Sequence, residues 1–342
     1  MGNKVVVFVV GMHRSGTSAL AGALVQSGHA GPLNPLPTSP DNVKGTFEAR
    51  EVVDLNERLL GLGCRQWFHT RPVADIQDAH ETAVAGSVLT AAFPAKPTII
   101  VKDPRTSLHL PFWLSCAEGA GWSARVAIVC RSPADVARSL QARDGLDIEH
   151  GVACWLRHML EAERRSRSVT RAFVAVDRLM EDPVGQLRDL EMQLGIAGDR
   201  PTAPDVDASF IESRLMGRTA QLDAPLPFRA EEAHRIFLRM AAGSQRPDDL
   251  ERLRAIARDL DEATPGIDRR LDEARRQAFR RVHPFLTFLG FRADGMPRPW
   301  MRALLFEQGE TVRRPFRRAV FKKNGALRPA FHPWVEHVRS RN

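Results

Sequence analysis

The sequence predicts an α/β fold in which a parallel β-sheet is flanked by helices. Four short apolar runs, most of them rich in β-branched residues, are typical of strands buried on both faces of such a sheet; they span residues 5–10, 98–102, 125–130 and 172–176. Segments of helical character separate these runs, and this alternation favours a parallel sheet with crossover helices. A glycine-rich turn joins the first run to a helix, an arrangement suited to binding an anion.

The first strand leads into a loop whose glycine spacing fits part of the phosphate-loop pattern. Residues 11–18 are Gly-Met-His-Arg-Ser-Gly-Thr-Ser, which satisfies G-x-x-x-x-G, and the helix predicted at residues 17–27 stops at Gly28. Between a strand and a helix, backbone N–H groups can hold an anion. Thr17 stands where ATP and GTP enzymes carry lysine. The sequence therefore predicts a P-loop NTPase-like fold whose loop binds another phosphate ester, with Arg14 as its cation.

Polar residues follow the second and third strands. A long loop at residues 29–46, rich in Pro, Gly, Asn and Ser, leads to a predicted amphipathic helix at residues 47–60. The second strand then ends in Lys-Asp-Pro-Arg at residues 102–105, and the third is followed by Arg-Ser-Pro at residues 131–133. Open α/β sheets bind their ligands at the carboxyl ends of the strands, so we expect both polar segments to lie at a site.

The remainder of the chain is predicted to be mainly helical. Helices are expected at residues 133–143 and 151–170, before the fourth strand, and the strand signal vanishes beyond Ile196. Residues 229–290 form helical segments rich in arginine and acidic residues. The predicted parts of the chain are a P-loop-like α/β domain at residues 1–225, a helical extension of the same domain at 226–291 and a basic tail at 292–342.

The net charge of +8 resides in the tail. Residues 292–342 hold twelve Lys or Arg and four Asp or Glu, so the rest of the chain is neutral overall. Aromatic residues are interleaved with the basic ones there. We expect the tail either to dock on the domain with its arginines in solvent or to lie on an anionic membrane surface. An alternative, a non-enzymatic protein that binds nucleic acid through this tail, lacks any recognised fold signature.

Cysteine usage and hydropathy predict a reduced, cytoplasmic protein. The cysteines lie far apart, with neither a CxxC pair nor a Cys/His cluster at metal-ligand spacing; they are Cys64, Cys116, Cys130 and Cys154. No apolar stretch reaches 18 residues, and the first apolar run is too short for a signal-peptide core. We therefore expect no metal site, and a location in the cytoplasm, peripheral to the inner membrane face if the tail binds lipid.

Three of these segments together resemble the sulfotransferases that use 3′-phosphoadenosine 5′-phosphosulfate (PAPS). Residues 11–18 resemble the family's 5′-phosphosulfate loop in its Arg-Ser-Gly-Thr variant. Residues 101–105, Val-Lys-Asp-Pro-Arg, resemble the second-strand motif of protein-tyrosine and bacterial members. Arg131 and Ser139 stand at the spacing of the 3′-phosphate motif. The resemblance covers roughly residues 5–220 and implies a bacterial member of that family.

A fourth segment agrees with the family in part. Residues 175–183 resemble the stretch after the last core strand, although Val176 replaces its usual tyrosine. Asp177, Asp182 and Pro183 within it more often fix a turn than touch a ligand. The glycine-rich C-terminal nucleotide motif of cytosolic members is not recognisable, and Arg214 and Arg218 are candidates to cover the adenosine in its place.

The resemblance implies roles for particular residues. Arg14 and Lys102 would stabilise the charge that develops as the sulfuryl group is transferred in line, and Glu48 would be the general base, with Asp103 and His13 in reserve. The nucleotide would be bound by Arg14, Ser15, Gly16, Thr17, Ser18, Arg131 and Ser139. The acceptor would be a hydroxyl or amine, on a carbohydrate or glycolipid by analogy with bacterial members. The reaction needs no metal.

Each assignment has a plainer alternative. Arg14 and Lys102 would be surface cations, Ser139 a helix-surface serine and Glu48 an acid that complements a helix dipole. A P-loop kinase or NTPase that has lost its lysine is the alternative enzyme, and it would need a Mg²⁺ site.

Overall fold

The structure, a computed structural model, describes residues 4–37, 45–62, 65–197 and 225–282, with side chains as far as residue 274. Its strands are β1 (Val5–Val10), β2 (Thr98–Lys102), β3 (Ser123–Cys130) and β4 (Thr170–Ala175). The helices before β3 are α1 (Thr17–Gln26), α2 (Arg50–Leu62), α3 (Ala79–Ala91) and α4 (Leu110–Gly119), with a 3₁₀ helix at Pro104–Leu108. Those after it are α5 (Pro133–Asp144), α6 (Ile148–Arg165), α7 (Val176–Glu181), α8 (Pro183–Leu194), α9 (Ala230–Ala241) and α10 (Asp249–Val282), with a second 3₁₀ helix at Pro227–Arg229.

The sheet is parallel throughout, and β1 lies between β2 and β3. The strand order is β2-β1-β3-β4, with Val5 of β1 paired to Thr98 on one side and to Ser123 on the other. All six residues of β1 are buried, as its continuous apolar sequence requires. The predicted α/β fold, a parallel sheet flanked by helices, is confirmed.

Helices pack on both faces of this sheet. On one face α1 and α8 bury leucines against alternate strand residues such as Val7, Val129 and Val174. On the other face the Phe8 ring lies 6.1 Å from that of Trp113 in α4, measured between centroids. Burial of this apolar surface at about 25 cal/mol per Å² is the main force that holds the layers together.

Two predicted element bounds differ from the structure for local reasons. The helix expected from residue 47 begins at Arg50, because Phe47 has a φ of 55°, in the left-handed region that breaks a helix. The last strand ends at Ala175, and Val176 already begins α7. Asp182 accepts a hydrogen bond from the Gly185 N–H at 2.9 Å and so caps α8.

The described residues up to Ala263 belong to one compact unit, and a second unit begins at Thr264 within α10. Pro265 follows directly inside this helix, where it removes one backbone hydrogen bond. None of the helices described here is both long and apolar enough to cross a membrane. The predicted basic tail lies outside the described residues.

Candidate active site

The glycines of the phosphate loop occupy positions that admit no side chain. Gly11 has a φ of 143°, and a Cβ there would lie 2.8 Å from the backbone oxygen of Val129 in β3. Gly16, the residue before α1, has a φ of 88°, and its Cβ would lie 2.9 Å from Cγ2 of Val176. Glycine is therefore required at both positions by backbone conformation and by space. The loop is pressed against the carboxyl end of β3 and the start of α7.

A serine from the 3₁₀ helix holds the start of this loop. The Gly11 N–H donates to Oγ of Ser107 at 3.0 Å, and that hydroxyl donates to the Gly11 carbonyl at 3.2 Å. Ser15, further along the loop, is fully buried, and its Oγ has no hydrogen-bond partner within the described part of the chain. A buried hydroxyl without a partner is costly unless a ligand supplies one.

Lys102, Ser18 and Glu48 meet at the carboxyl end of β2. The Lys102 amino group donates to Oγ of Ser18 at 2.9 Å and lies 2.5 Å from Oε1 of Glu48. The two charged side chains are only 3% and 10% exposed, so their attraction is weakly screened by solvent. Ser18 belongs to the first turn of α1, where the helix dipole favours an anion. A cation, a carboxylate and a helix N-terminus are thus within reach of one another.

Arg14, Arg131 and Ser139 form a second group, which we call the arginine cluster. Nε of Arg14 donates to Oγ of Ser139 in α5 at 2.8 Å. Nη1 of Arg131, the residue after β3, donates to the Arg14 carbonyl at 3.0 Å. Arg131 is 5% exposed, and its Nε has no partner among the residues with described positions. Residues from two separate sequence motifs are therefore joined at the phosphate loop.

Asp103, a reserve candidate for the base, is engaged in a buried polar network. Its Oδ1 accepts hydrogen bonds from the backbone and the guanidinium of Arg105, each at 3.0 Å. Its Oδ2 accepts a hydrogen bond from Nδ2 of Asn56 at 2.9 Å. The side chain of Asn56 makes two further hydrogen bonds. Its Nδ2 also donates to Oγ1 of Thr106 at 3.0 Å, and its Oδ1 accepts from Nε1 of Trp113 at 2.8 Å. Both carboxylate oxygens of the buried Asp103 are thus engaged by Arg105 and Asn56, which ties the end of β2 to α2.

Arg105 forms ion pairs with carboxylates on two sides. Besides Asp103, its guanidinium lies 2.5 Å from Oε1 of Glu57 in α2. Burial alone would lower the pKa of Arg105, but the charges of Asp103 and Glu57 raise it above its ordinary value. Arg105 therefore stays charged and ties α2 to the end of β2.

His13, the other reserve base, is buried beside an aromatic ring. Its ring centroid lies 4.7 Å from that of Trp67 and 6.4 Å from that of His158. Burial, and then the positive charge of Arg105, hold the pKa of His13 well below its ordinary value. The imidazole is therefore neutral at neutral pH. The segment that carries Trp67 is fixed to α6, where Arg157 donates to the Thr70 carbonyl at 2.6 Å.

The other candidates have varied environments. Thr17 is buried at the start of α1, and Asp177 is exposed in α7. Arg214, Arg218 and Cys64 lie outside the described residues, while Cys116, Cys130 and Cys154 are buried and form no disulfide among the described residues. Among the residues described, no group of three or more His, Cys, Asp or Glu side chains is placed to hold a metal ion.

Sequence reasoning missed Ser107 and Asn56. Neither residue belongs to a recognised motif, and their partners lie 96 and 47 positions away in the chain. Ser107 stands two residues beyond the Lys-Asp-Pro-Arg segment, at the expected ligand edge of the sheet. That proximity is the signal that could have pointed to it.

Comparison with known proteins gave structural neighbours alone. No protein-family model and no curated protein matches the chain. The fold is similar to the sulfotransferase domain of the Synechococcus PCC 7002 olefin synthase, with 18% identity over 70% of this chain and 96% of that domain and a TM-score of 0.42. It is also similar to a sulfotransferase from Alicyclobacillus acidocaldarius, with 16% identity over 74% and 95% of the two chains and a TM-score of 0.39. The sulfotransferase domain of the curacin biosynthetic pathway is similar as well, with 15% identity over 68% of this chain and 96% of that domain and a TM-score of 0.38. Likeness of this degree does not assign an activity.

Proposed function

We propose that this protein is a sulfotransferase that moves a sulfuryl group from PAPS to a hydroxyl or amine. The observation that carries the proposal is the position of the Lys102 amino group, which bonds both Ser18 at the N-terminus of α1 and the Glu48 carboxylate. A cation that reaches both a helix N-terminus and a carboxylate suits a group transfer between an anionic donor and a proton-bearing acceptor.

The phosphate loop supports an anionic donor without a loop lysine. Thr17 fills the position of the NTPase lysine, whereas Lys102 brings an amino group to the same helix N-terminus from β2. Oγ of Ser15, in the loop, and Nε of Arg131, beside it, are buried and have no hydrogen-bond partner within the described ranges. Because such atoms are stabilised by ligand oxygens, these residues fit a nucleotide that carries phosphate and sulfate groups.

Glu48 and Lys102, which form the buried ion pair, have separate roles in the proposed reaction. When bound, PAPS supplies a sulfuryl group whose bond to the phosphate oxygen breaks as a bond to the acceptor forms. Glu48 takes the proton that the acceptor oxygen or nitrogen gives up. Lys102 balances the negative charge that remains on the phosphate oxygen. Burial of both side chains strengthens their electrostatic effect, because little water screens them.

The proposal extends to the chemical class of the acceptor and to the role of the tail. We propose a carbohydrate or glycolipid acceptor, by analogy with bacterial enzymes that carry the same loop variant. A lipid-linked acceptor would give the basic, aromatic tail at residues 292–342 a role in holding the enzyme at an anionic membrane surface. Co-sedimentation with anionic liposomes that is lost at high salt would support that role, and intact protein that ignores such liposomes would contradict it.

The decisive test of the function is transfer of label from ³⁵S-PAPS. The protein is incubated with the donor and with fractionated bacterial carbohydrate and glycolipid extracts, and Lys102→Ala serves as the inactive control. We expect label in one fraction with the unaltered protein alone. We also expect adenosine 3′,5′-bisphosphate to bind without Mg²⁺. No transfer, together with Mg²⁺-dependent binding of ATP in preference to the bisphosphate, would overturn the proposal in favour of an NTPase.

A further inference from the structure

Three buried histidines, one of them in the phosphate loop, each have a ring nitrogen without a partner. They are His13 of the loop, His109 at the N-cap of α4 and His158 of α6, and they are 9%, 3% and 0% exposed. Within the described ranges, Nε2 of each ring is buried and makes no hydrogen bond. We call these residues the imidazole cluster. Because buried polar atoms are rarely left unpaired, the cluster suits a bound group that other side chains do not supply.

The rings of the imidazole cluster are neutral, and His158 is close to the other two. Its ring centroid lies 6.4 Å from that of His13, with an angle of 71° between the ring planes. Burial, and then surrounding positive charges, lower the pKa of His13 and of His109, and His158 is among the groups that act on both. Burial likewise lowers the pKa of His158 to about 4. At neutral pH each ring therefore has one nitrogen that donates and one that accepts.

The hydrogen bond at Nδ1 of His158 determines what its Nε2 can do. Nδ1 lies 2.9 Å from the Cys154 carbonyl, which can only accept, so Nδ1 carries the proton. Nε2 is then an acceptor and needs a donor. A carboxylate or phosphate has no proton to give, and an ammonium group would add positive charge where Arg105 and Lys102 already act on His13. A hydroxyl can donate to His158 while its oxygen remains available to His13.

His13 borders the centre at which transfer is proposed. Arg105 and Lys102 act electrostatically on His13, and Glu48 is among the charges that act on Arg105. Lys102 in turn lies 2.5 Å from Glu48. His13 and Glu48 therefore have the same two cations as neighbours. A compound with one hydroxyl at Glu48 can present another to the imidazole cluster.

Trp67 keeps the His13 ring in place. The two ring centroids are 4.7 Å apart, and the guanidinium of Arg143 lies 5.7 Å from the centre of the Trp67 ring. The backbone beside Trp67 is held by α6, where Nε2 of His150 donates to the Phe68 carbonyl at 2.7 Å. The imidazole of His13 therefore has a fixed orientation, which a residue that selects among acceptors requires.

We propose that the imidazole cluster binds a hydroxyl group of the acceptor, next to the hydroxyl that is sulfated. This inference rests on the proposed function and deepens it, because it makes the acceptor a polyhydroxylated compound. One hydroxyl gives its proton to Glu48, and another bonds His13 and His158. His13 is then a specificity residue and not the base. Water has the same hydrogen-bonding chemistry, so it is the ligand that the acceptor hydroxyl must displace.

NMR of the protein labelled with ¹³C at Cε1 of histidine tests this assignment. With adenosine 3′,5′-bisphosphate bound, the methyl glycosides of glucose, galactose and mannose are titrated, and cyclohexylmethanol, a ring of the same size with a single hydroxyl, is the comparison. We expect at least one glycoside to shift the Cε1–H signals of His13 and His158 to saturation, and cyclohexylmethanol to leave them in place. His13→Ala should weaken that glycoside about two- to tenfold, as for loss of one neutral hydrogen bond, and leave the Kd of the bisphosphate within about twofold.

The chain offers a matched control, and each contrary outcome has a distinct meaning. His80→Ala removes an exposed histidine of α3 and should leave both affinities unchanged. If no glycoside shifts the two signals, the cluster holds water only and the inference is wrong, while binding of the bisphosphate leaves the proposed function standing. An equal response to cyclohexylmethanol would refute a second hydroxyl. If the bisphosphate itself does not bind, the proposed function fails and the inference fails with it. The titration of the unaltered protein decides even where His13→Ala does not fold.

Discussion

Replacement of Gly16 by alanine should destabilise the protein, and shortening Val176 should restore part of the loss. A Cβ on Gly16 would lie 2.9 Å from Cγ2 and 3.4 Å from Cγ1 of Val176, a residue that is only 3% exposed. Overpacking of this kind costs about 1–3 kcal/mol. The φ of 88° adds about 1–2 kcal/mol for a residue with a Cβ. Gly16→Ala should therefore lower the free energy of unfolding by about 2–5 kcal/mol.

The double variant separates the two contributions. Val176→Ala removes both contacting methyl groups and by itself costs about 2 kcal/mol, from lost burial and the space left behind. In that background the Gly16→Ala clash is gone and only the backbone strain remains, about 1–2 kcal/mol. Urea unfolding of the four proteins should thus give a coupling free energy of about 1–3 kcal/mol, in the direction of rescue.

Gly11 supplies the control that should not be rescued. Its Cβ would meet the backbone oxygen of Val129 at 2.8 Å, and the nearest side-chain atom, Cγ2 of Thr17, lies at 3.3 Å. Thr17→Ser removes that methyl group but leaves the β3 backbone in place, so it should not relieve Gly11→Ala. Additive losses in the Gly16/Val176 pair, or equal rescue in the Gly11/Thr17 pair, would show that the loop is not packed as described.

Further variants test the site and its surroundings. Glu48→Gln should lower kcat about 10²–10⁴-fold while the Kd for adenosine 3′,5′-bisphosphate stays within about threefold; an unchanged kcat in the sulfation assay would assign the base elsewhere. Stability should fall as the pH drops from about 6.5 towards about 4, because burial lowers the pKa of His158 to about 4 and the unfolded chain binds a proton that the folded protein does not. A buried histidine of this kind adds up to about 1.4 kcal/mol per pH unit to the slope of the free energy of unfolding against pH. His158→Gln should therefore reduce that slope, measured by urea unfolding, by roughly this amount. An unchanged slope would contradict the lowered pKa of His158. Asn56→Ala should cost about 2–4 kcal/mol in urea unfolding because it leaves buried partners unsatisfied, whereas the exposed Asn34→Ala should change stability by less than about 0.5 kcal/mol; equal losses would refute the role of the network.

The fold could be predicted because the strand signals are local. The six consecutive apolar residues of β1 are recognisable without knowledge of their neighbours. Helix α3 escaped prediction because Ala79–Ala91 mixes alanine, threonine and Gly86 without a clear apolar stripe. Its N-cap, Asp78, is a common turn residue and gave no distinct signal on its own.

The contacts within the site depend on tertiary packing and could not be predicted in the same way. The motifs predict that Arg14 and Ser139 bind the nucleotide, but their mutual hydrogen bond depends on the distance between the loop and α5 in the folded protein. Ser107 and Asn56 act through side chains that bridge elements far apart in sequence. Such bridges have no periodicity that a sequence displays.

The central place of β1 in the sheet affects how the protein is made on the ribosome. Both neighbours of β1 are synthesised after it, and β3 ends only at Cys130. At about 5–20 residues per second, roughly 6–24 s pass between completion of β1 and completion of β3. During that interval Val-Val-Val-Phe-Val-Val is an uncharged apolar segment of high β-propensity, the kind that pairs with other chains. The strand that leads to the phosphate loop is therefore open to pairing with other chains until β2 and β3 have been made.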